Sequence, residues 1–535
     1  MPSPEEHYDV IVAGAGGGGL VGAYLAAARG LKTLIIEKSD QVGGTTSYSG
    51  AGLWFPGSAP IRRAGIPDTD LEVARRYLRG SVADTAREQM QEGYLSAGIA
   101  LIDELEENPR FGLFQHAPVP DYYADVDGST PHGRTVFPPP VQVSELGENA
   151  ALIRRSLYTE RYGHREDDVL VGGRALIGRA LAAFLETGNG VLSLATALTD
   201  LVVENDRVVG VDARRDGEAV RLRASRGVLL ATGGFEHNAE LRAKFGMFPA
   251  SGEWSNGYAG NVGDALLAGI AVGADTDLLD EAWYVPGVVQ TDGNPLFHTG
   301  TRGGIWVNAE GQRFVNEIRP YDQAGHAIRD RENATGISHN PCYWVFDHKQ
   351  FTRDGFGGRA PDQPVDDLWF ESGALTKADT LAELAALIGV PADALVASVS
   401  TFNGYVPGGV DEEFHRGETA WDQMFQYVVG YAALPEQNFV KPIEAEGPNP
   451  MIVAIDSPPY YAATIRLSDI GTKGGLKTDT EARVLRADGT PIAGLYATGN
   501  TMAAMAGRVY PGAGTPIGSS LAFAYRAVRD LASPS

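Results

Sequence analysis

Short apolar runs, rather than long amphipathic stretches, dominate the hydrophobic pattern at the start of the chain. Residues 8–13 (YDVIVA) and 33–37 (TLIIE) are rich in β-branched and apolar side chains. Runs of this length and composition are typical of strands that are buried on both faces. Between them a cluster of glycines leads into an alanine-rich stretch over 20–29, which predicts a closely packed helix. The pattern therefore predicts a β-α-β unit and an α/β fold.

Two later segments have the same form as the first strand. Residues 227–234 (GVLLATGG) and 494–500 (GLYATGN) are short apolar runs that lead into Ala-Thr-Gly. The stretch 276–451 differs, because it is rich in aromatic residues and in Pro/Gly turns and lacks further glycine-rich strand-to-helix junctions. We therefore predict one sheet domain built from 1–275 and 452–535, with an inserted α+β substrate or lid domain over 276–451.

The glycine cluster after the first strand has the spacing G-x-G-x-x-G at Gly14, Gly16 and Gly19. In this context the first glycine permits a tight turn, the second a close backbone approach to a pyrophosphate, and the third close helix-strand packing. Glu37 ends the second predicted strand, where an acid accepts hydrogen bonds from a ribose. The three glycines and the acid together predict a Rossmann-type dinucleotide site.

Further small and hydroxylated residues favour FAD over NAD as the dinucleotide. Residues 43–52 (GGTTSYSGAG) pass close under a flat ring and bond its edge, and Gly499 and Asn500 form another polar turn. Residues 514–518 (GTPIG) precede an apolar helix whose N-terminus suits the negative charge of a reduced flavin. The predicted FAD-binding residues are Gly14, Gly16, Gly19, Glu37, Lys38, Gly43, Gly44, Thr45, Thr46, Ser47, Ser49, Gly50, Ala197, Thr232, Gly233, Gly499, Asn500, Gly514, Pro516 and Ile517.

Composition narrows the class of partners. The chain has 535 residues and a formal net charge of −24, which disfavours nucleic acid as a partner. Its single cysteine, Cys342, and its scattered histidines give no metal-ligand spacing, so no metal is expected. No apolar run is long enough for a transmembrane helix, and no secretory signal is recognised. We expect a cytoplasmic enzyme, with peripheral membrane contact left open.

Several motifs resemble those of the 3-ketosteroid Δ1-dehydrogenases, a family of the fumarate-reductase-like flavoproteins. ATGG at 231–234 and RFVNE at 313–317 are shared across that wider group. The more specific motifs are Asp121-Tyr122, NE-x-x-x-Y at 316–321, PPYYA at 458–462 and YPGAG at 510–514. The resemblance covers nearly the whole chain, and it implies FAD-dependent 1,2-desaturation of 3-ketosteroids in steroid degradation and lipid metabolism.

The resemblance also implies a role for each of four residues. Tyr510 and the backbone N–H of Gly514 would bind the C3 carbonyl of the steroid, and Tyr321 would take the C2 proton. Tyr122 would assist, with Tyr123 as the alternative if the register differs by one. The hydride from C1 would pass to flavin N5, and an external acceptor such as a quinone would reoxidise the flavin.

Three alternatives remain open at the sequence level. A fumarate-reductase-like enzyme needs basic groups for a dicarboxylate, for which Arg302, Arg313 and Arg319 are the candidates. A 3-ketosteroid Δ4-(5α)-dehydrogenase is disfavoured, because a resemblance to that family implies a serine in the turn after the tyrosine, and residues 511–513 (PGA) contain none. A non-catalytic protein that carries electrons or binds sterol is the third alternative. The segment 425–452 is longer than the resemblance leads us to expect, and its role is left open.

Overall fold

A computed structural model describes residues 6–67, 70–165, 167–298, 302–357, 361, 363–426 and 443–533. The chain divides into two compact units. The first unit comprises the described residues of Met1–Gly252, Gly257–Ala282 and Gly471–Ser535. The second unit comprises Glu253–Asn256 and the described residues of Trp283–Ile470.

The first unit contains the predicted β-α-β start and the predicted C-terminal strand. Its strands are β1 (Glu6–Ala13), β2 (Thr33–Ile36), β3 (Leu53–Trp54), β4 (Gln115–Ala117), β5 (Thr135–Phe137), β6 (Val141–Gln142), β7 (Val169–Leu170), β8 (Gly190–Ser193), β9 (Thr196–Glu204), β10 (Arg207–Arg215), β11 (Glu218–Leu230), β12 (Thr276–Asp277), β19 (Gly475–Leu476), β20 (Arg483–Leu485) and β21 (Pro491–Ala497). Its helices are α1 (Gly17–Ala28), α2 (Ala59–Arg63), α3 (Leu71–Val82), α4 (Glu88–Glu107), α5 (Val143–Leu146), α6 (Leu157–Tyr162), α7 (Gly172–Glu186), α8 (Ala239–Lys244), α9 (Asp264–Ala271) and α16 (Thr515–Ala532).

The main sheet of the first unit has the strand order β20-β21-β10-β11-β1-β2-β8, with β9 paired to β10. Strand β1 lies parallel to both β11 and β2, and β21 lies parallel to β11. The four apolar residues from Val10 to Ala13 have no solvent exposure, as expected for a strand covered on both faces. The α/β prediction is confirmed, and the N- and C-terminal parts of the chain share this sheet. Helices α1, α7 and α16 pack together beside it.

The second unit has its own sheet, with the order β14-β13-β18-β16-β15 and β17 paired to β18. Its strands are β13 (Ala282–Val289), β14 (Pro295–Phe297), β15 (Ile305–Val307), β16 (Cys342–Asp347), β17 (Leu375–Ala378) and β18 (Tyr460–Thr472). Its helices are α10 (Tyr321–Thr335), α11 (His348–Asp354), α12 (Asp367–Glu371), α13 (Leu381–Ile388), α14 (Ala392–Gly404) and α15 (Ala420–Met424). A separate apolar core, including Leu395 and Phe402, is buried between α13, α14 and this sheet.

The bounds of the two units differ from those predicted for the inserted domain. The second unit takes over at Trp283 rather than 276, and the chain returns to the first unit at Gly471 rather than 452. The physical reason is β18, which pairs with β16 and β17 and therefore belongs to the second sheet almost to its end. The assignment of the units as an FAD domain and a substrate domain stays a prediction.

Candidate active site

The glycine turn after β1 has the geometry of an anion-binding site. Gly14 has a φ of +101°, and a Cβ there would lie 2.4 Å from the Ala231 carbonyl oxygen. A Cβ on Gly19 would lie 2.0 Å from the Gly14 carbonyl oxygen, so both positions require glycine. Helix α1 begins at Gly17, and its N-cap residue Gly16 supplies no side-chain cap. Its positive end is therefore suited to a pyrophosphate.

Glu37 follows β2 at the same edge of the sheet and is 8% exposed. Its carboxylate accepts hydrogen bonds from the Ala15 N–H at 2.9 Å and the Ser39 N–H at 3.0 Å. A carboxylate has about four lone-pair sites, so capacity remains for a ribose hydroxyl. The Thr196 N–H donates to the Glu37 carbonyl, and Ala197 follows directly. Glu37 and Ala197 are therefore close to the glycine turn and to each other.

Lys38 is the exception among the predicted cofactor residues at this end, because it already has a partner. Its Nζ lies 2.6 Å from the carboxylate of Asp264, and both side chains are partly exposed. The ion pair fixes the side chain at the start of α9. A contact between Lys38 and the cofactor therefore stays a prediction.

The hydroxylated segment after β2 folds as a short 3-10 helix over Gly44–Tyr48. Thr46 Oγ1 accepts the Gly17 N–H at 3.1 Å, which joins this segment to the start of α1. Thr45 Oγ1 accepts hydrogen bonds from the Tyr258 N–H and from Asn261 Nδ2. Because both hydroxyls act as acceptors in these bonds, each retains its proton for donation to a phosphate or a ring edge. The support from Tyr258 and Asn261 has no recognisable sequence motif.

Two of the predicted cofactor residues carry buried oxygen atoms without a partner. Ser47 Oγ and Thr232 Oγ1 are inaccessible to solvent and have no hydrogen-bond partner among the residues described. Buried hydroxyls are normally satisfied, so an unsatisfied pair at two predicted cofactor positions points to a missing ligand. The donor set of this region, with its glycine turn, fits an FAD molecule.

The C-terminal cofactor residues lie in the turn that follows β21 and at the start of α16. Gly499 and Asn500 belong to a short 3-10 helix over Gly499–Thr501, and Thr501 Oγ1 donates to the Gly233 carbonyl at 2.9 Å. Gly514 is the N-cap of α16, and Pro516 and Ile517 lie in its first turn. The segment predicted to precede the helix is thus mostly inside it. All the predicted cofactor residues belong to the first unit.

Two of the predicted catalytic tyrosines lie together in the first unit. The Tyr122 and Tyr510 rings have centroids 5.1 Å apart, and both side chains are buried. The Gly514 N–H lies 3.3 Å from the Tyr510 hydroxyl oxygen, to which it donates. Tyr123 is half-buried, and its N–H donates to the Tyr77 hydroxyl. Tyr122 therefore has its ring against Tyr510.

Gly514 is confined to glycine by its surroundings. Its φ is +95°, and a Cβ there would lie 2.2 Å from the Gly52 carbonyl carbon. The Thr135 hydroxyl donates to the neighbouring Ala513 carbonyl at 2.7 Å. The backbone N–H of Gly514 is consequently held in a fixed direction beside the Tyr510 hydroxyl.

A buried ion pair under these tyrosines was not recognised from the sequence. Asp121 and Arg134 form an ion pair whose side chains are 1% and 2% exposed. Asp121 also accepts a hydrogen bond from Trp54 Nε1 at 2.8 Å. Burial raises the pKa of Asp121 to about 6, although Arg134 and the Trp54 N–H act in the opposite direction. The only sequence signal was the Asp121-Tyr122 motif.

Tyr321, the predicted base, is the first residue of α10 in the second unit. It is buried, and its ring meets Phe297 edge-on with centroids 5.0 Å apart. The next residue, Asp322, is fully buried and accepts the Tyr284 N–H at 3.1 Å. His326, one turn later, lies with Nδ1 2.8 Å from the Asp322 carbonyl oxygen. These contacts fix the start of the helix that carries Tyr321.

Arg313 is a candidate dicarboxylate ligand in the fumarate-reductase alternative. Inside the second unit it is already paired with two carboxylates. Its guanidinium binds Glu317 at 2.7 and 3.0 Å and Asp411 at 2.9 and 2.7 Å. Burial opposes the charge, yet these carboxylates raise the pKa of Arg313 above its ordinary value. Arg302 is also buried, beside Asp354 at 3.2 Å. Two of the three predicted arginines therefore face carboxylates of the chain itself.

Two other residues with reactive side chains, Cys342 and Tyr461, are packed against neighbouring side chains. Cys342 is buried in β16, where burial raises the pKa of its thiol. Tyr461 stacks on Phe351 with centroids 4.6 Å apart.

Within the described ranges, no group of three His, Cys, Asp or Glu side chains is arranged to hold a metal ion. No helix in the same ranges is long and apolar enough to cross a membrane. Most of the segment 425–452, namely 427–442, lies outside the described residues.

Comparison with known proteins shows the family to which the chain belongs. Residues 9–517 match the family model described as FAD binding domain. The chain is 37% identical to the 3-oxosteroid 1-dehydrogenase of Mycobacterium tuberculosis, over 98% of this chain and 98% of the relative. It is 31% identical to the 4-oxocyclohexanecarboxylate 2-dehydrogenase of Sinomonas cyclohexanicum, over 99% of this chain and 94% of the relative.

A solved structure supports the same family through its fold. The 3-ketosteroid Δ1-dehydrogenase of Sterolibacterium denitrificans, solved in complex with 1,4-androstadiene-3,17-dione, matches with a TM-score of 0.88 and 31% identity. The match covers 98% of this chain and 99% of that structure. The chain therefore belongs to the FAD binding domain family and, within it, to the 3-oxosteroid 1-dehydrogenases, with FAD as its cofactor.

Proposed function

We propose that this protein is an FAD-dependent 3-ketosteroid Δ1-dehydrogenase, which removes hydrogen from C1 and C2 of a 3-ketosteroid. One observation carries the proposal: the Tyr510 hydroxyl and the Gly514 N–H lie 3.3 Å apart at the N-terminus of α16, with Tyr122 packed against Tyr510. In this structure the Gly514 N–H donates to the Tyr510 oxygen. A carbonyl oxygen bound here would take that N–H and the Tyr510 O–H as its two donors, as required to stabilise an oxygen that gains negative charge. The identity to 3-oxosteroid 1-dehydrogenases supports a steroid as the ketone.

The first step assigned to the chain is recognition of the C3 carbonyl. A carbonyl oxygen set between the Tyr510 O–H and the Gly514 N–H receives two hydrogen bonds. The C2 proton of a ketone is a weak acid, and two donors stabilise the enolate that forms as it leaves. One good contact of this kind contributes roughly 3–4 kcal/mol to the transition state. The fixed φ of Gly514 keeps its donor aligned without reorganisation during the reaction.

The second step is removal of the C2 proton, for which we propose Tyr321 as the base. A tyrosine with a pKa of about 10 in water takes a proton when its phenolate is stabilised. Tyr122 assists in this proposal, as the family resemblance implies. When bound, FAD supplies the acceptor for the hydride of C1, and the chain contributes orientation and electrostatics.

Reoxidation of the flavin needs an external electron acceptor. We propose a quinone or a similar small acceptor. Peripheral contact with a membrane is compatible with a quinone acceptor, because quinones dissolve in lipid. Reoxidation of the reduced enzyme by soluble and by vesicle-bound quinones distinguishes a membrane-linked route from a soluble one.

The primary test is a reduction experiment without oxygen. We expect androst-4-ene-3,17-dione to bleach the oxidised-flavin absorbance at once and to give the 1,4-diene product. 4-Oxocyclohexanecarboxylate is the second substrate to test, because a relative acts on that monocyclic ketone. Faster bleaching by the monocyclic ketone would reassign the substrate class while keeping the ketone chemistry. Flavin that stays oxidised with both, yet is reoxidised by fumarate after chemical reduction, would contradict the proposal.

Tyrosine variants test the assigned roles. We expect Tyr510→Phe and Tyr321→Phe each to lower kcat by roughly a hundredfold or more, with FAD still bound. Tyr8→Phe is the matched control, because it removes a hydroxyl that only bonds Glu6 near the surface. Tyr122→Phe separates assistance from catalysis, since we expect a smaller loss. Near-parent turnover in Tyr510→Phe would remove the carbonyl-binding role.

A further inference from the structure

Asp121 is a fully enclosed carboxylate with more partners than a loop aspartate needs. It accepts hydrogen bonds from Trp54 Nε1 at 2.8 Å and from the Thr130 N–H at 3.1 Å, and it pairs with Arg134. Arg134 also donates to the Gly128 carbonyl at 2.6 Å. The carboxylate thus joins the nearby turn over 128–130 and the start of β5 to β3, which is 67 positions away in sequence.

The partners of this carboxylate continue directly into the proposed carbonyl-binding loop. Tyr122, the next residue in the chain, donates its N–H to the Pro511 carbonyl at 3.0 Å. The Tyr77 hydroxyl donates to the same carbonyl at 2.5 Å. The Arg134 guanidinium lies over the Tyr77 ring, 5.5 Å from its centroid. Both hydrogen bonds to the Pro511 carbonyl therefore come from residues in contact with the ion pair or bonded to it.

A second route runs through Trp54. Its Nε1 donates to Asp121, and its indole lies against Gly512, where an added Cβ would fall 2.3 Å from the ring. The indole therefore limits how far the loop over 510–514 can move towards β3. Rotation of the ring would cost both the hydrogen bond to Asp121 and this contact.

Stability alone does not account for a buried ion pair at this place. Removing two charges from water costs several kcal/mol, and well-packed apolar residues of similar volume are often as stable or more so. Precise geometry is a different requirement, because a displacement of about 1 Å at a reacting centre can cost a hundredfold in rate. Residues that hold the supporting shell of a site meet that requirement.

We propose that Asp121, together with Arg134 and Trp54, is a positioning residue that fixes Tyr122 and the 510–514 loop for carbonyl binding. This inference rests on the proposed function for its kinetic consequence. Its structural consequence is independent of that function. Loss of the carboxylate releases Trp54, and the Gly514 N–H no longer lies within hydrogen-bond distance of the Tyr510 hydroxyl.

The kinetic test compares three variants of the FAD-loaded enzyme with the parent. Asp121→Asn keeps the shape and removes the charge. Trp54→Phe removes the Nε1 donor together with the part of the indole that lies against Gly512. Asp530→Asn is the matched control, since Asp530 accepts a hydrogen bond from Tyr496 at the far end of α16. We expect kcat to fall roughly tenfold or more in Asp121→Asn, with KM changed about twofold, because the aligned donors act mainly on the transition state.

The remaining variants set the scale of that effect. We expect a loss of about threefold in kcat for Trp54→Phe and no more than about twofold for Asp530→Asn. FAD content and the melting temperature are recorded for each, so that a loss of folded enzyme is separated from a loss of rate. A folded Asp121→Asn with the kcat of the control overturns the inference. If Asp121→Asn does not fold, a parent-like kcat in Trp54→Phe overturns it.

Crystal structures decide the inference even if the parent enzyme does not act on ketosteroids. Inactivity of the parent contradicts the proposed function and leaves the structural consequence to be measured. In Trp54→Phe we expect a lengthened separation between Tyr510 and Gly514 compared with 3.3 Å in the parent. A variant structure with this distance and the 5.1 Å ring separation unchanged overturns the inference.

Discussion

At the scale of single residues, the proposed carbonyl site depends on backbone positions that accept no side chain. Gly514 combines a φ of +95° with a Cβ direction that is blocked by the Gly52 carbonyl carbon at 2.2 Å. Gly512 is blocked by the Trp54 indole in the same way. The obstacle at Gly514 is backbone rather than the flexible end of a side chain, so it cannot move aside cheaply. A methyl group at Gly514 must therefore displace the donor N–H.

We expect Gly514→Ala to lower kcat by roughly a hundredfold, because the φ strain and the clash move the N–H away from Tyr510. Gly489→Ala is the control, since Gly489 has a comparable φ of +82° with nothing within 4 Å of the added Cβ. Both variants carry the conformational strain, and only one carries the clash. Turnover and FAD content are measured for each. Equal turnover in the two variants would show that the position of the Gly514 N–H does not matter.

Protonation of Asp121 is the second consequence at this scale. As the pH falls through about 6, we expect kcat to fall, because the carboxylate facing Arg134 is lost. Tyr77 and Arg134 are the titratable and charged groups that face this carboxylate. The folded-state pKa lies above the unfolded value of about 3.9, so the native state takes up this proton more readily. The contribution of this group to stability therefore grows as the pH falls from about 6 to about 4.

The prediction is thus a loss of rate without a loss of stability from this group. It is measured as kcat and melting temperature from about pH 5 to about pH 8. We expect Asp121→Asn to lack the acidic limb, since it carries no titrating carboxyl at this position. A parent profile that stays flat below about pH 6, or an identical limb in the variant, would assign the acidic limb to another group.

At the scale of secondary structure, the sequence was informative where hydrophobic runs are short and bounded by glycine. The prediction for β1, α1 and β2 is confirmed, because buried strands and a glycine turn leave a strong local pattern. The antiparallel pairing of β9, β10 and β11 was not predicted. The alternation of polar and apolar residues indicates a strand but does not identify the strand with which it pairs. The same holds for Trp54 and Asp121, whose hydrogen bond joins residues separated by 67 positions.

The second unit offers a test of an element held by buried charges. Arg313 and Glu317 precede α10, and Arg416 donates to Glu317 at 3.0 Å. Breaking a buried pair costs about 3–5 kcal/mol, because the remaining charge has no partner. We expect Arg313→Gln to lower the melting temperature of the transition that involves this unit by roughly 10 °C. Arg221→Gln, in an exposed pair with Asp212, should change stability by about 1 kcal/mol or less.

Thermal unfolding followed by circular dichroism and by flavin fluorescence separates the two variants. The exposed control indicates how much of any shift comes from replacing an arginine with glutamine in general. Equal shifts in Arg313→Gln and Arg221→Gln would contradict the stabilising role of the buried network. Turnover of the surviving folded Arg313→Gln also tests whether the segment before Tyr321 needs this network for activity.

At the scale of the whole molecule, the FAD site gathers residues from both ends of the chain. The predicted cofactor residues run from Gly14 to Ile517, and all belong to the first unit. A ligand that binds only the folded state stabilises it by mass action, by about 2.7 kcal/mol at a hundredfold excess over Kd. FAD should therefore raise the melting temperature of the unit in which its residues are assembled.

Glu37→Gln tests this coupling of the cofactor to the fold. Its carboxylate follows β2 beside the glycine turn, and a hydrogen bond from a ribose hydroxyl to a charged acceptor contributes about 1.5–3 kcal/mol. We expect the Kd for FAD to rise by roughly tenfold or more, and the FAD-induced shift in melting temperature to shrink accordingly. Both are measured on the apoprotein, by fluorescence titration and by melting with and without FAD.

Comparing the shift within each variant cancels any change that the substitution makes to the apoprotein, where Glu37 also accepts two backbone N–H groups. Glu186→Gln is the matched control, because Glu186 pairs with Arg110 on the surface at the end of α7. If Glu37→Gln binds FAD as tightly as this control, the ribose lies elsewhere and the assignment of Glu37 is wrong. If only Glu37→Gln loses affinity, Glu37 binds FAD beside the glycine turn, and FAD stabilises the fold of the first unit through this residue.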